Sequence, residues 1–320
     1  MRLGAKDIFG VWAGCVMCWD EKFRFDSDSY SAGVAQMIKH KPHGIYTTGS
    51  TGEFYAIELD EFKQMVDIQA KLCGDAGVPL QIGCCGDATH KTLRLFEYAA
   101  SKKQVGAAQV VLPYWMELTD REVLQFFKDL YSACPDMPIV HYNIPRCKRF
   151  LHAADYLRIL DVCPSLVGVK YTFAGTNFGS LQSDILATPM LSYFVAEHFL
   201  ATAMQLGAKG SYSSVICMNP VFMQNYYAAA AAGKWNEAIE IQKFLAKFYV
   251  QLGGIIGQAG EGDADPVIDK AMAVASGFLK ANQRCRAPYI GWSDKSVSML
   301  SQWLRDNYPE LVYAGKMFNA

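Results

Sequence analysis

The feature of this sequence that most constrains its fold is a regular alternation of short apolar stretches and longer amphipathic ones. The apolar stretches are predicted strands, at residues 8–17, 44–48, 79–83, 109–112, 138–142, 166–170, 190–195 and 210–216. The amphipathic stretches are predicted helices, at residues 29–40, 60–73, 92–103, 120–133, 153–162, 179–187, 199–206 and 221–232. The repeat of about thirty residues has the length of a strand–helix–strand unit. Eight such units predict a closed parallel (β/α)8 barrel, which is a TIM barrel.

The residues that follow the last predicted barrel helix have a different pattern. Three more helices are predicted, at residues 235–252, 266–279 and 293–307. The glycine-rich connection 253–265 between the first two is predicted as a loop. We therefore predict two parts, a catalytic barrel at residues 1–232 and a C-terminal three-helix extension at residues 233–320.

Charge and motif content argue against several classes of protein. Thirty basic and thirty-one acidic residues leave a net charge of -1, which favours neither nucleic acid nor an anionic membrane as a partner. An open doubly wound sheet would usually carry a glycine-rich dinucleotide loop after its first strand, but Cys18-Trp19-Asp20-Glu21 stands there. The closed barrel is therefore favoured over the open sheet.

The histidines and cysteines give little support for a metal site. The six histidines form no HExxH motif, and the ten cysteines are scattered, with Cys15-Val16-Met17-Cys18 as an unrepeated CxxC pair. We predict no metal and no other cofactor. Because no apolar run reaches the length of a membrane span and no signal-peptide core precedes the first strand, we also predict reduced thiols and a cytoplasmic location.

A lysine ends the sixth predicted strand. Leu166-Val167-Gly168-Val169-Lys170 is typical of a buried parallel strand whose carboxyl end delivers a polar side chain into a site. Such a lysine can act as a nucleophile if its ammonium is kept from full hydration. Lowering its pKa by about three units corresponds to roughly 4 kcal/mol of environmental bias. The simpler alternative is a lysine whose head group merely reaches solvent.

The carboxyl ends of all barrel strands share one face, and that face carries the active site. The polar residues predicted at those ends are Ser50, Thr51, Glu53, Tyr114, Tyr142, Lys170, Thr172, Glu197, His198, Ser213 and Ser214. One lysine, tyrosines and hydroxyls beside a glycine-bounded turn suit imine chemistry on a keto acid. The turn can bind a carboxylate through backbone N–H groups and hydroxyls, and a tyrosine can transfer protons.

Three motifs at these strand ends resemble signatures of a known family. They are Gly49-Ser50-Thr51-Gly52-Glu53, Tyr142-Asn143-Ile144-Pro145 and Gly168-Val169-Lys170-Tyr171-Thr172. In order and spacing they are similar to those of the N-acetylneuraminate lyase / dihydrodipicolinate synthase family of pyruvate-dependent class I aldolases. The similarity continues through Gly207–Ser211 into the C-terminal helices, so it covers nearly the whole chain.

The resemblance implies a role for each motif. Lys170 would form a Schiff base with pyruvate or the 2-keto acid, and Tyr142 would be the general acid/base. Ser50 and Thr51 would bind the keto-acid carboxylate. The family usually assembles as a homotetramer and needs neither a metal nor an organic cofactor, so the expected partners are pyruvate, an aldehyde and other copies of the chain.

Several positions depart from the dihydrodipicolinate synthase pattern. The run Pro113-Tyr114-Trp115 has tryptophan where those enzymes carry a proton-relaying tyrosine, and an indole N–H cannot relay protons. Cys147 stands where they place a substrate-binding arginine. Thr172, two residues after Lys170, is instead like the sialic acid lyases. The departures place the chain closer to the N-acetylneuraminate lyase side.

The residues at the end of the seventh predicted strand also differ from those of the sialic acid lyases. Their sugar-binding Gly-Tyr-Asp-Glu corresponds to Val195-Ala196-Glu197-His198 in this chain. We therefore predict a different hydroxylated or acidic 2-keto acid, with a distal pocket lined by Thr172, Glu197, His198 and Ser214, and with Tyr114 also binding substrate.

These observations predict a lyase that cleaves or forms a pyruvate-containing 2-keto sugar acid through a Schiff base on Lys170. One alternative is a 2-keto-3-deoxy sugar acid dehydratase on the same lysine, in which the enamine expels a hydroxyl group. A second is dihydrodipicolinate synthase activity, and a third is a non-catalytic sensor that has kept the barrel. The reaction products, or a missing adduct on Lys170, would distinguish them.

Overall fold

The computed structural model describes residues 2–172 and 177–313, in which eight parallel strands close into a barrel. In chain order the strands are β1 Gly10–Gly14, β2 Gly44–Thr47, β3 Leu80–Gly83, β4 Ala107–Val110, β5 Ile139–Asn143, β6 Leu166–Tyr171, β7 Ser192–Val195 and β8 Gly210–Ser213. Each strand pairs in parallel with its neighbours in sequence, and β8 pairs with β1. The predicted TIM barrel is confirmed.

Helices alternate with these strands in the described residues. They are α1 Ser27–Ile38, α2 Leu59–Ala76, α3 Thr89–Ala100, α4 Asp120–Ala133, α5 Ala153–Val162, α6 Phe178–Ala187, α7 Leu200–Gln205 and α8 Pro220–Ala231. Helix α4 shows how the sequence specifies them. The backbone N–H of Thr119 donates to the Glu122 carboxylate at 2.7 Å, and the N–H of Glu122 donates back to the Thr119 hydroxyl. One face then buries Val123, Phe126, Phe127 and Leu130.

Some element ends differ from the predicted ones. Strand β1 is shorter than residues 8–17, and β8 ends at Ser213 because the chain turns into a short 3-10 helix at Val215–Cys217. Helix α2 continues past Gly74, the predicted end, and stops at Gly77, whose φ of 67° gives a left-handed C-cap. A single glycine inside a helix costs only about 1 kcal/mol, so Gly74 does not end it.

The barrel interior contains an aromatic floor, formed by Trp12, Tyr46, Phe194 and Tyr212. The ring centroids of Tyr46 and Phe194 each lie 4.7 Å from that of Tyr212. The Tyr212 hydroxyl donates to the side-chain oxygen of Gln81 at 2.8 Å, so its polar atom is paired. This layer fills the barrel beneath the carboxyl ends of the strands.

Three more helices follow the barrel, α9 Trp235–Ala259, α10 Asp265–Ala275 and α11 Asp294–Asn307. The predicted loop at 253–265 was wrong for its first half, because α9 continues through three glycines to a left-handed cap at Gly260. Leu252, directly before this stretch, is buried, and within it Ile255 and Ile256 are partly buried and pack against the core. That packing outweighs the weak helix propensity of glycine, which costs about 1 kcal/mol per residue.

Helix α9 packs against α7 and α8, so the C-terminal helices share the hydrophobic core of the barrel. The division of the chain at residue 232 stays a prediction, and residues 314–320 of the predicted extension lie outside the described residues. Within residues 2–172 and 177–313, no helix combines the length and apolar character needed to cross a bilayer.

Candidate active site

Lys170 lies at the carboxyl end of β6, directly above the aromatic floor. The strand register pairs it with Tyr142 of β5 on one side and Phe194 of β7 on the other. Its Nζ lies 3.9 Å from the ring centroid of Tyr142, 5.0 Å from that of Tyr46 and 5.4 Å from that of Tyr212. The amine is therefore surrounded by aromatic rings.

This environment changes the acidity of the lysine. Burial lowers the pKa of Lys170 to about 8, although the carboxylates of Asp265, Asp269 and Glu197 act in the opposite direction. At pH 7 about a tenth of such side chains are uncharged, against about four in ten thousand for an ordinary lysine. The enrichment of the free amine is what a Schiff-base nucleophile needs.

We expect the rate of imine formation between pyruvate and Lys170 to rise with pH and to level off above a midpoint near 8, because the neutral amine is the attacking species. The measurement is the rate of adduct formation trapped with cyanoborohydride across this range. Free Nα-acetyl-lysine, with an ordinary pKa, is the control. A midpoint that coincides with that of the free lysine would contradict the prediction.

A hydrogen-bonded chain leads from Tyr142 to the mouth of the barrel. The hydroxyls of Tyr142 and Ser50 lie 3.3 Å apart and share a hydrogen bond, and burial raises the pKa of Tyr142 so that its phenol stays protonated. Arg146 donates to the Ser50 hydroxyl at 3.4 Å and to both carboxylate oxygens of Asp265, at 2.7 and 3.2 Å. Although burial opposes it, this pairing lowers the pKa of Asp265.

A buried carboxyl, Asp269, lies on the other side of the turn that holds Ser50. The Thr51 hydroxyl donates to Asp269 Oδ2 at 2.6 Å, and the Ser214 side chain also hydrogen-bonds this carboxyl. Burial, with the charge of Asp265 next in size, raises the pKa of Asp269 to about 7. The hydroxyl of Thr51 is thus bound to a protein carboxyl in this structure, whereas the hydroxyl of Ser50 lies beside Tyr142.

The turn Gly49–Glu53 is fixed by its close packing and by Glu53. A Cβ on Gly52 would lie 2.7 Å from the backbone nitrogen of Thr48, so only glycine fits there. Glu53 has a left-handed backbone (φ 49°) and a completely buried side chain. Its Oε1 pairs with Lys270 of α10 at 2.6 Å, and its Oε2 accepts from the Trp19 indole and from the N–H of Arg286, each at 2.9 Å.

Glu197 and His198 lie together after β7, next to α9. Glu197 Oε1 accepts hydrogen bonds from the backbone N–H groups of Ser214 and Val215, both at 3.2 Å, and from the Tyr249 hydroxyl at 2.6 Å. The His198 ring lies 5.0 Å from that of Tyr249, and its buried Nδ1 has no partner among the described residues. Glu197 Oε1 therefore binds the backbone that directly follows β8.

A cavity of about 260 Å³ opens beside Tyr142 at the carboxyl end of the barrel. It is lined by Ser50, Phe54, Tyr55, Val111, Tyr114, Tyr142, Ile144, Arg146, Cys147, Ala264, Asp265, Pro266 and Tyr289. Three predicted site residues, Ser50, Tyr114 and Tyr142, are among them. The other predicted site residues do not line it: Thr172, whose N–H donates to the carbonyl of Asn143, is not among them, nor are Thr51, Lys170, Glu197, His198 and Ser214.

Helix α10 contributes three residues to the site that were not predicted from the sequence, Asp265, Asp269 and Lys270. All three are ionisable residues on a short, otherwise apolar helix, and Asp269 and Lys270 are buried there. Charged residues are almost never buried unless they are paired. The spacing of four between the two aspartates places both on the same helix face, which was the available signal.

The fold and the lysine above its aromatic floor define a TIM barrel with a site suited to imine chemistry. The model of the dihydrodipicolinate synthetase family matches residues 7–305, and the chain belongs to this family. Members of the family are carbon–carbon lyases and aldolases, which confirms the predicted class of enzyme.

Individual relatives are distant. A 4-hydroxy-tetrahydrodipicolinate synthase of Ehrlichia canis is 26% identical over 244 residues, which are 75% of this chain and 80% of the relative. Among solved structures, a pyruvate complex of YagE, a protein of the dihydrodipicolinic acid synthase family from E. coli K12, has a TM-score of 0.83 at 19% identity, covering 93% of this chain and 98% of the other. A catalytic lysine mutant of the Ruminococcus gnavus sialic acid aldolase also has a TM-score of 0.83, at 18% identity, covering 96% and 98%. The structural likenesses support the fold.

Proposed function

We propose that the protein is a pyruvate-dependent class I aldolase or lyase in which Lys170 forms the Schiff base. The observation that carries the proposal is the position of its Nζ, 3.9 Å from the ring centroid of Tyr142 and with a pKa of about 8. Membership of the dihydrodipicolinate synthetase family supports it. The reaction as proposed requires neither a metal nor an organic cofactor.

In the proposed reaction the Lys170 amine adds to C2 of pyruvate and water leaves, giving an imine. Loss of a proton from C3 gives an enamine, whose C3 attacks the carbonyl carbon of an aldehyde while the aldehyde oxygen takes up a proton. Water then hydrolyses the imine, which releases a 4-hydroxy-2-keto acid and the free lysine. We assign the proton transfers to Tyr142, whose hydroxyl shares a hydrogen bond with Ser50.

The carboxylate of the keto acid is assigned to the turn at Ser50 and Thr51. The Ser50 hydroxyl would bind it directly, beside the guanidinium of Arg146. Since the Thr51 hydroxyl already donates to Asp269, we assign Thr51 a contact through its backbone N–H.

The decisive experiment is incubation with pyruvate, reduction with borohydride and peptide mapping. A reduced pyruvyl group on Lys170 supports the proposal, whereas an unmodified protein, or a group on another lysine, would reject it and leave the sensor alternative. The products of the full reaction then separate the remaining alternatives. Free pyruvate with an aldehyde indicates an aldolase, and a dehydrated keto acid indicates a dehydratase.

Tyr142→Phe is expected to lower kcat about 10²- to 10⁴-fold with little change in the KM for pyruvate, because the variant loses a proton donor but keeps the ring against Lys170. Trapping of the pyruvate adduct should continue, more slowly. Tyr46→Phe is the matched control, since that ring also lies within 5.0 Å of the Lys170 nitrogen. An equal loss in both variants would argue against a specific role for the Tyr142 hydroxyl.

A second candidate is 4-hydroxy-tetrahydrodipicolinate synthase activity. It is supported by the names of curated relatives such as that of Ehrlichia canis, and by Arg146, whose guanidinium borders the cavity. Solved relatives include a sialic acid aldolase as well, so the closer relation to N-acetylneuraminate lyase, based on Thr172, stays a prediction. The homotetramer and the cytoplasmic location also stay predictions.

A further inference from the structure

One side of the cavity beside Tyr142 is an aromatic wall, formed by Phe54, Tyr55, Tyr114 and Tyr289. The rings contact one another edge to face. The centroid of Phe54 lies 6.1 Å from that of Tyr55 and 6.2 Å from that of Tyr114, and the centroids of Tyr55 and Tyr289 are 5.1 Å apart. Aromatic pairs in such geometry stabilise one another beyond the area they bury, and a further ring can join the same arrangement.

Apart from the hydroxyls of Ser50 and Tyr142 and the three phenol hydroxyls of the wall, the lining offers few groups to a polar ligand. Val111, Ile144, Cys147, Ala264 and Pro266 are apolar. The two charged residues that border the cavity, Arg146 and Asp265, already bind each other through two hydrogen bonds. The Tyr55 hydroxyl is buried without a partner among the described residues, so it is free to bind one polar group of a ligand. A polyhydroxylated chain would lose its hydration here and would have to share the few remaining hydroxyls, and each hydroxyl left unpaired is unfavourable.

The aromatic wall is connected to Lys170 through Tyr142, although Lys170 itself does not line the cavity. Ser50 and Tyr142 line the same cavity, and the Tyr142 ring lies against the Lys170 nitrogen. An aldehyde in this cavity would have its carbonyl carbon near the enamine and its substituent against the wall. The chemistry of the wall, rather than that of Glu197 and His198, would then select the aldehyde.

We propose that the aldehyde partner of this enzyme carries an aromatic group, which binds against Phe54, Tyr55, Tyr114 and Tyr289. The inference rests on the proposed function, because it assumes the enamine on Lys170. It replaces the hydroxylated sugar acid expected from the sequence with a 4-aryl-4-hydroxy-2-keto acid. Atoms balance as in any aldol addition, because one carbon–carbon bond forms between pyruvate C3 and the aldehyde carbon and the aldehyde oxygen gains a proton.

The test compares three aldehydes at saturating pyruvate, with pyruvate consumption as the readout. Benzaldehyde represents the aromatic class, glyceraldehyde the polyols and aspartate semialdehyde the charged amino-acid aldehydes. We expect kcat/KM to be at least about tenfold higher for benzaldehyde than for either of the others. A higher kcat/KM for glyceraldehyde or aspartate semialdehyde would overturn the inference, as would no consumption with benzaldehyde.

Variants localise the effect. Tyr289→Ala removes a ring at the edge of the wall and should raise the KM for benzaldehyde roughly three- to tenfold. Ile290→Ala, next in sequence, 82% exposed and outside the lining, is the matched control and should change nothing. Unchanged benzaldehyde kinetics in Tyr289→Ala would contradict the assignment of the wall.

Borohydride trapping with pyruvate separates the two proposals. If Lys170 carries the reduced adduct in wild type and in Tyr289→Ala, but benzaldehyde is not preferred, the inference fails and the proposed function stands. If no adduct forms on Lys170, the proposed function itself fails.

Discussion

Replacing Lys170 with alanine is expected to abolish adduct formation with pyruvate and to lower turnover by more than about 10⁴-fold, because the variant lacks the nucleophile on which each covalent step depends. The measurements are the mass of the borohydride-treated protein and pyruvate turnover under saturating conditions. Lys209→Ala is the matched control, since Lys209 is exposed and directly precedes the opposite, amino-terminal end of β8. It should retain wild-type values for both.

The Lys170→Ala variant should also remain folded. Burial lowers the pKa of Lys170, so the charged ammonium is less favourable in the folded protein than in the unfolded chain at neutral pH. Removing the ammonium relieves this desolvation penalty. The relief offsets part of the packing energy that is lost with the side chain. A Tm within a few degrees of wild type, with turnover lost, would identify a chemical effect. A large drop in Tm would mean that the variant does not test catalysis, and adduct mapping on the wild type would then decide the role of Lys170.

Breaking the buried pair between Glu53 and Lys270 is expected to produce the largest loss of stability. Both side chains are fully buried, and the charged atoms lie 2.6 Å apart. Glu53→Gln leaves a buried ammonium without its counter-charge, and Lys270→Met leaves a buried carboxylate in the same state. Each should lower the free energy of unfolding by about 3–5 kcal/mol, measured by urea denaturation.

Two further variants sharpen this test. The double variant Glu53→Gln/Lys270→Met removes both charges and leaves an amide oxygen to accept from Trp19, so it should recover a large part of the lost stability. Lys243→Met breaks an exposed pair with Glu240, at a similar nitrogen–oxygen distance of 2.7 Å, and should change the free energy of unfolding by less than about 1 kcal/mol. Losses that simply add in the double variant would argue against a coupled buried pair.

The barrel could be predicted from the sequence because the patterns that specify its strands and helices are local and are repeated along the chain. Each strand and helix carries its own apolar period, and caps such as that of Thr119 and Glu122 mark helix starts. Element ends were less accurate because tertiary packing decides them. Gly74 and the glycines of α9 lie inside helices since neighbouring apolar residues pack against the core there, as the partly buried Ile255 and Ile256 do in α9.

The candidate site was predictable where strand order alone brings residues together. Parallel strands end on one face, so Lys170 and Tyr142 had to be neighbours once β5 and β6 were adjacent. Partners contributed from distant sequence could not be obtained in this way. The hydrogen bond from Thr51 to Asp269 spans 218 positions along the chain, and no local pattern encodes which hydroxyl a buried carboxyl will bind.

The position of α10 has a consequence for anyone who wishes to reuse this scaffold. The turn that is assigned to the keto-acid carboxylate contains Glu53, whose partners Lys270 and Arg286 come from beyond residue 232. A gene fragment that stops after α8 would encode Glu53 without its partners Lys270 and Arg286. The shortest unit that can be transferred therefore runs at least to Arg286. Substitutions meant to change the substrate preference should be made at side chains such as Tyr289, which border the cavity but do not bind Glu53.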